Sequence, residues 1–163
     1  EQHADLLGIT RQRELDLQGE TDPEAVEFED LVPLAEKTEK AANYLGKVAM
    51  DLGKKAYSLE AKTAFANSLP FLHAMGDVIM GWMLLWRATI AAPALERLVE
   101  GLDDVSRIEK INKNKNAAFY EGQLKSCEYF IHTILPVTMG RLNSVSNGNK
   151  AIVDIPESAF GAM

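Results

Sequence analysis

Two pairs of side chains in this chain have the spacing of metal ligands. His73 and Asp77 are four residues apart, and so are Glu128 and His132. In helices, each pair would lie on one face, and two facing pairs could hold a metal ion. A carboxylate-bridged di-metal bundle needs several more inward-pointing acids than this pattern supplies. Ordinary intrahelical pairing is therefore the favoured interpretation, and no metal-binding residue is assigned.

Hydroxyl and thiol side chains give no nucleophilic set. Ser68, Ser126 and Thr133 lack the strand–turn–helix setting of a nucleophile elbow and have no evident base nearby in the sequence. Cys127, the single cysteine, falls on a helical face, which favours a buried and inert thiol. One cysteine excludes an internal disulfide and fits a reducing compartment, so we expect a cytoplasmic protein. No catalytic residue and no cofactor-binding residue is assigned.

Charged residues flank the most apolar run of the chain, Val78–Trp86, with Asp77 before it and Arg87 after it. Because a lone buried charge is costly, we expect a structural ion pair, formed between these two residues or with a polar group elsewhere. The run is far shorter than the ~20 residues that span a bilayer, so it is interpreted as core and no membrane span is predicted. The net charge of -7 argues against binding of nucleic acid or of anionic lipid.

Apolar residues three and four positions apart predict helices along most of the chain. The first helix begins near Pro33 and ends near Gly53 or Tyr57. The second begins near Ser58, is the longest and most apolar, and has Pro70 at a break after Leu69 or at a kink. One stripe of the second helix comprises Phe65, Leu69, Leu72, Met75, Ile79, Trp82, Trp86 and Ile90, and its flank comprises Phe71, Val78 and Leu85.

The C-terminal half of the chain is predicted to hold two further helices. The sequence Ala91-Ala92-Pro93 indicates an interruption, after which a short helix covers Ala94–Glu100. Leu102–Asn116 is rich in Asp, Lys and Asn and is interpreted as a solvated connection with at most a helical turn or two. The last helix covers 116–135, or continues with a kink to Val145.

These elements predict an all-α fold, an antiparallel up-and-down helical bundle of about four helices with an irregular C-terminal tail. The predicted division is an N-terminal arm or linker at residues 1–29, the helical bundle at 30–148 and the tail at 149–163. In the arm, residues 21–24 have the composition of a helix start. In the tail, the apolar residues of 152–155 suggest a short strand or a segment lying in a groove. The chain lacks an initial Met, so we expect a fragment of a longer protein.

The second helix carries more apolar surface than one packing partner needs. Trp82 and Trp86 lie on it, and such residues usually belong to a core. The face is wide enough to contact a second domain as well, so both interpretations stay open. Three methionines, Met75, Met80 and Met83, belong to the same surface. Glycines within helical patterns cost about 0.5–1 kcal/mol each against alanine, which predicts close approach of neighbouring helices at those positions. These glycines are Gly76, Gly81 and Gly122.

Two stretches carry a resemblance to a known family. The first runs through Ala66–Leu72 and Gly76 into Gly81–Ala88, and the second covers Asn116–Phe130 and then Leu135-Pro136. Together they resemble the extra C-terminal helical domain of a subgroup of bacterial acyl-CoA dehydrogenases, the 3-methylmercaptopropionyl-CoA dehydrogenase-like enzymes. In that subgroup a sulfur-containing or fatty acyl-CoA is the usual substrate. The aromatic pair, the glycine, the later aromatic residue and the proline of the second stretch all fall in register with the family pattern.

The resemblance covers roughly Leu34–Val145 and has two departures. Gln123 stands where the family more often has the lysine of a Gly-Lys pair, so a role for that lysine is not transferred, and Lys125 is the nearest lysine that could substitute. Cys127 replaces a small alanine, which a packed helix tolerates.

The resemblance implies that this chain is the appended, non-catalytic domain of a longer enzyme of fatty acid metabolism. Members of the family hold FAD and abstract an α-proton with a glutamate, and those parts precede this domain, so no catalytic or flavin-binding residue transfers. The parent would oxidise an acyl-CoA to its enoyl form. The appended domain would pack on the catalytic body or on a second subunit, with contact to acyl-CoA left open. The alternatives are a stand-alone protein-interaction module and a metal-binding bundle.

Overall fold

The computed structural model describes residues 30–161, which are largely helical and include no strand. The helices are α1 (Val32–Ala56), α2 (Ala61–Ala66), α3 (Ser68–Val99), α4 (Asp104–Lys113), α5 (Lys115–Tyr129) and α6 (Leu135–Asn147). A π-helical segment, Phe130–Ile134, joins α5 to α6, and a 3-10 helix, Glu157–Phe160, lies in the tail. The predicted all-α bundle is confirmed.

The longest helices, α1 and α3, pack in opposite directions. Leu34 near the start of α1 and Leu85 in the second half of α3 belong to one buried cluster. Val48 near the end of α1 and Ala74 near the start of α3 belong to another. This crossed order places the two helices antiparallel, as an up-and-down bundle requires.

The continuous helix formed by α5, the π-helical segment and α6 also runs antiparallel to α3. Ala117 near the start of α5 shares a buried cluster with Leu95 and Val99 near the end of α3. Leu142 near the end of α6 shares one with Ala74 near the start of α3. The core of the described residues is therefore a three-helix bundle with the shorter α2 and α4 added at its sides.

The predicted interruption at Ala91-Ala92-Pro93 and the separate helix at Ala94–Glu100 are wrong, because α3 continues through Pro93 to Val99. Proline inside a helix removes a hydrogen bond and clashes with a carbonyl, at a cost of about 3 kcal/mol or more. Leu95 and Val99 lie beyond the proline and are fully buried. Burial of such side chains contributes about 1.5–3 kcal/mol each, which offsets the cost of Pro93.

The start of the second predicted helix is divided into two elements. Residues 57–60 form a turn, and Asn67 separates α2 from α3. Pro70 is thus the third residue of α3, where its missing N–H leaves no intrahelical hydrogen bond broken. Of the two predicted alternatives, a new helix rather than a kink is confirmed, with the break at Asn67 instead of Leu69.

The segment between α3 and α5 is more regular than predicted. We expected a connection with at most a helical turn or two over Leu102–Asn116, and this is wrong because α4 occupies 10 of these residues. Its exposure is as expected, since no residue of α4 is buried. The N–H of Ser106 donates to the Asp103 side chain at 2.9 Å and begins the helix, as an N-cap does.

A single residue connects α4 to α5. Asn114 ends α4, and its Oδ1 accepts from the N–H of Asn116 at 2.9 Å and from that of Ala117 at 3.1 Å. These are among the first N–H groups of α5, which have no partner within their own helix. One asparagine therefore serves both helices with no linker between them.

The last helix passes Pro136, as one of the predicted alternatives has it. The ring of Pro136 clashes with the carbonyl of His132, four residues earlier, if the helix keeps α geometry. The helix accommodates the proline by widening into the π-helical segment, where hydrogen bonds span five residues instead of four. Gly148 ends α6 at a φ of 58°, a left-handed conformation that glycine adopts without strain.

The described part of the tail holds no strand, so the predicted strand at 152–155 is wrong. Residues 151–154 form a turn, and the apolar side chains of Ile152 and Ile155 are exposed rather than lying in a groove. An ion pair of 2.5 Å between Lys150 and Glu60 connects the tail to the turn before α2.

Residues 1–29 lie outside the described residues, and so does the predicted helix start at 21–24. The division into an arm at 1–29, a bundle at 30–148 and a tail at 149–163 therefore stays a prediction.

Candidate functional site

α3 is apolar on two sides, and one of them faces the bundle. The buried side packs on α1, α5 and α6, and its residues recur every three or four positions, as one face of a helix requires. They are Ala74, Val78, Gly81, Leu85, Ala88, Ala91, Leu95 and Val99. Val78 and Leu85, predicted as the flank of this helix, thus belong to its core side.

The opposite side of α3 is apolar and exposed. We call it the outer face, and its residues alternate spacings of three and four: Leu69, Leu72, Gly76, Ile79, Met83, Trp86 and Ile90. Trp86 is 52% exposed and Ile90 is 60% exposed. Most of the stripe that the sequence pattern singled out points away from the bundle. A contiguous apolar surface of this kind is rare on a soluble monomer and marks a contact surface.

Two tryptophans beside each other on the exposed side of α3 stack. The ring centroids of Trp82 and Trp86 are 6.4 Å apart, with 14° between the ring planes. Stacked aromatic pairs contribute about 0.5–1.5 kcal/mol beyond the area they bury. Tryptophans are enriched at the centre of protein interfaces.

Asp77, from the first candidate metal pair, accepts hydrogen bonds from another helix of the bundle. Its Oδ2 accepts from Thr138 Oγ1 and from Arg141 Nη1, each at 2.7 Å. The predicted structural ion pair at Asp77 is confirmed, with Arg141 of α6 as the partner, whereas Arg87 is exposed. His73, one turn before Asp77, is also exposed. Thr138 and Arg141 are spaced so that both lie on one face of α6, and this spacing was the sequence signal for the cluster. It could not be recognised in advance because the sequence does not show that α6 meets α3.

The second candidate metal pair, Glu128 and His132, lies on a different surface. Lys125 Nζ donates to Glu128 Oε2 at 2.8 Å, and this hydrogen bond and the ammonium charge hold the pKa of Glu128 below its usual range. Lys37 Nζ donates to His132 Nδ1 at 2.8 Å. The structure does not bring the two candidate pairs together. Among residues 30–161, no group of three or more His, Cys, Asp or Glu side chains is arranged to hold a metal ion.

Two of the candidate nucleophiles donate hydrogen bonds to the local backbone, and the third is exposed. Ser68 Oγ donates to the carbonyl of Phe65 at 2.7 Å, and Ser126 Oγ donates to that of Gly122 at 2.6 Å. Thr133 lies exposed in the π-helical segment. The hydroxyls of Ser68 and Ser126 thus satisfy carbonyls of the local backbone.

Cys127 is fully buried in the main core cluster. Burial raises the pKa of its thiol to about 11, with the neighbouring Glu128 charge as a smaller cause. The thiol is therefore protonated and unreactive near neutral pH, as the helical pattern predicts.

The three helical glycines have different surroundings. A Cβ built on Gly81 would meet the Phe130 ring at 3.6 Å, so the predicted close approach is confirmed there. A Cβ built on Gly76 or Gly122 would meet nothing within 4 Å among the described residues. Gly76 belongs to the outer face, and no described neighbour accounts for it.

A groove of about 760 Å³ opens between the start of α1, the end of α3, α4 and α5. Its floor is apolar and includes the buried Leu95. Its basic side chains are paired with carboxylates, Arg107 with Glu96 at 3.0 Å and Lys125 with Glu128 at 2.8 Å. A phosphate ligand would compete with these carboxylates for the same donors.

By length and composition alone, α3 could cross a membrane, since an 18-residue window of it has a mean hydropathy of 1.5. Within the bundle, 33% of that window is buried. The apolar stretch is longer than Val78–Trp86 because it continues on both sides of that run. The core helix of a soluble bundle meets the same criteria, so the finding is weak evidence for a span. Asp77 of α3 is paired with Arg141, and the adjacent α1 exposes charged residues such as Lys40 and Lys47.

Comparison with known proteins identifies what this bundle is similar to. A family model described as "Acetyl-CoA dehydrogenase C-terminal like" matches residues 14–156. The Butyryl-CoA dehydrogenase of Syntrophomonas wolfei is 28% identical over 68% of this chain and 18% of its own length. The Broad-specificity linear acyl-CoA dehydrogenase FadE5 of Mycobacterium tuberculosis is 27% identical over 58% of this chain and 13% of its own length.

The chain thus spans less than a fifth of the length of these curated relatives. No solved structure shows a significant match. The family match extends over most of the chain, including all of α1 to α6. On that ground the chain belongs to the acetyl-CoA dehydrogenase C-terminal-like family, the C-terminal helical domain of acyl-CoA dehydrogenases.

Proposed function

We propose that this chain is an accessory domain that packs, through the outer face of α3, on the catalytic body of a flavin-dependent acyl-CoA dehydrogenase. The exposed apolar outer face carries this proposal, because an apolar helix side without a described partner needs a covering surface. The relatives supply a source for that surface, since most of their length lies outside the matched region.

The energetics favour a contact in which the outer face is buried. Full burial of a Leu, Ile or Trp-sized side chain contributes about 1.5–3 kcal/mol relative to exposure. Leu69 and Leu72 are 59% and 53% exposed, so a partner would bury a substantial part of each. Most of the cost of association is already met when the partner is part of the same polypeptide, because linkage raises the effective concentration.

We propose further that this domain holds no flavin of its own. The basic side chains at the groove, Arg107 and Lys125, are held by carboxylates and leave no free cationic cradle for a pyrophosphate. In this proposal the FAD and the glutamate base belong to the preceding part of the parent. The parent oxidises an acyl-CoA to its enoyl form, and this domain supports the body that does so.

The 3-methylmercaptopropionyl-CoA dehydrogenase-like subgroup stays a prediction. The two relatives are named for butyryl-CoA and for linear acyl-CoA substrates. The family match favours the accessory domain over a stand-alone interaction module or a metal-binding bundle. We also propose a cytoplasmic location, on the ground of the single buried thiol, and recovery of the parent in the membrane fraction after cell lysis would contradict it.

A cleavable linker in the parent tests the proposed contact. A protease site is inserted before residue 14, and after cleavage the affinity of the released domain for the catalytic body is measured by calorimetry. Trp86→Ala is expected to weaken this affinity roughly 10-fold or more, as loss of a central aromatic anchor does. Flavin content and turnover of the uncleaved parent are recorded alongside.

Tyr129→Ala is the matched control, because Tyr129 is an aromatic residue of similar exposure, 63%, on a helix other than α3. It is expected to leave the affinity close to that of the unmodified parent. If the unmodified released domain shows no measurable affinity for the body even at the highest concentrations used, or if both variants bind as tightly as the unmodified domain, the proposed contact is wrong.

A further inference from the structure

Gly76 has a cost in helix stability that no described contact offsets. Glycine in a helix interior is about 0.5–1 kcal/mol less favourable than alanine. Gly81, five residues later on the core side, is accounted for by the Phe130 ring that passes over it. Gly76 lies on the outer face between Leu72 and Ile79, and the space where its Cβ would stand is open. A missing side chain on an otherwise large-residue face leaves a notch in that face.

The outer face is one continuous stripe along most of α3. Its residues alternate steps of three and four along 22 positions, from Leu69 to Ile90, which is the recurrence of any one face of an α-helix. Apart from Gly76, every residue of this stripe has a large side chain. The notch at Gly76 therefore allows the closest backbone approach along the stripe.

We propose that the catalytic body packs along the outer face of α3 and makes its closest backbone approach at Gly76. The inference rests on the proposed function and specifies how the contact is made. A second copy of this chain fits less well, because each copy has a net charge of -7 and the charges would repel. The body is the favoured occupant because the relatives extend far beyond the matched domain.

Substitution of Gly76 by a large residue is expected to have opposite effects on the stability of the fold and on the affinity of docking. In the isolated chain, Gly76→Leu has open space for its side chain and improves helix propensity, so the thermal midpoint is expected to rise by about 2–4 °C. In the parent with the cleavable linker, the same leucine fills the notch, and the affinity of the released domain for the body is expected to fall roughly 30-fold. Gly76→Ala is expected to give a smaller loss in the same direction.

Gly46→Leu is the matched control. Gly46 lies in α1, is exposed, and also has nothing within 4 Å of a built Cβ, but it is not on the outer face. It is expected to raise the thermal midpoint without weakening docking. The inference is supported if Gly76→Leu raises the thermal midpoint and weakens docking, while Gly46→Leu raises the thermal midpoint and leaves docking unchanged.

Two results distinguish failure of this inference from failure of the proposed function. If Gly76→Leu docks as tightly as the unmodified domain while Trp86→Ala does not, the outer face is the contact but Gly76 is not its point of closest approach. If neither change affects docking, the proposed function fails together with this inference. If Gly76→Leu abolishes dimerisation of the isolated chain in sedimentation and leaves docking intact, a second copy is the occupant and the inference is overturned.

Discussion

The two sides of α3 are both apolar, but they are built from residues of different size. The buried side holds small residues such as Ala74, Gly81 and Ala88, which let neighbouring helices approach closely. The outer face holds large residues such as Trp86 and Ile90, which project into space that the described residues do not fill. Hydrophobicity alone therefore does not locate the core of this bundle. Four of the eight buried residues are alanine or glycine, whereas the outer face has one glycine among its seven residues, so small residues mark the side that packs within the domain.

The largest expected effect comes from truncating the buried side. Leu85 is fully buried, so Leu85→Ala is expected to reduce the free energy of unfolding by about 2–5 kcal/mol through lost contacts and a cavity. Leu72→Ala, the same change on the outer face, is expected to cost the isolated chain under about 1 kcal/mol. Chemical denaturation of both variants measures the difference. Equal losses would mean that the two sides are equally packed.

The next effect concerns the polar contact on the core side. Asp77→Ala leaves Arg141 without its ion pair and the buried Thr138 hydroxyl without its stronger acceptor. We expect a loss of about 1–3 kcal/mol in the free energy of unfolding, because groups buried without partners are costly. Arg87→Ala, at an exposed position ten residues later on the same helix, is the control and is expected to be close to neutral. A neutral Asp77→Ala would show that the cluster contributes nothing to the bundle.

A smaller change in folding, with a visible change in association, is expected on the outer face. Trp86→Ser combined with Ile90→Ser removes apolar surface that water already reaches, so we expect the free energy of unfolding to change by about 0.5 kcal/mol or less. Sedimentation velocity of the isolated chain at high concentration should show less self-association, because the apolar surface is reduced. Unfolding of the doubly substituted chain at room temperature would place these residues in the core and contradict the comparison.

The smallest effect lies away from both sides of α3, at the start of α4. The hydrogen bonds from Ser106 lower the pKa of Asp103 in the folded chain. A lowered folded-state pKa means that the contribution of the carboxylate is present above the unfolded value, ~3.9, and is lost as pH falls through the folded value. Amide exchange of α4 should therefore quicken as pH falls below about 4 after correction for intrinsic rates. Asp103→Asn should remove this pH dependence without affecting α3, and exchange that follows pH equally in both chains would contradict the assignment.

Much of the fold follows from the sequence, and the errors have identifiable causes. The start of α1 was predictable because Pro33 in the first turn acts locally. The break predicted at Pro93 was wrong because burial of Leu95 beyond it outweighs the local cost of proline. That compensation depends on packing against α5, which no local pattern contains.

The candidate site was only half predictable. The apolar stripe through Trp86 was visible in the sequence, but its direction was not, because a helix that is apolar all round has no amphipathic signal to orient it. Asp77 was predicted to need a partner, while the choice of Arg141 over Arg87 required knowledge that α6 lies beside α3. The openness around Gly76 likewise depends on which neighbours are present.

The widened turn at Phe130–Ile134 has a consequence for how this domain tolerates changes in length. A π-type turn holds one residue more than an α turn, so the extra residue is taken up within Phe130–Ile134 and α6 keeps its phase relative to α5. Deleting one residue from the regular turns of α5 would instead rotate everything after it by about 100°, so that Arg141 would move away from its carboxylate and Leu142 would leave the interior. Deleting one residue within the wide turn would keep that phase but would bring the ring of Pro136 against the carbonyl four residues earlier. Chain length is therefore constrained by helix phase along α5 and by the proline ring at the wide turn.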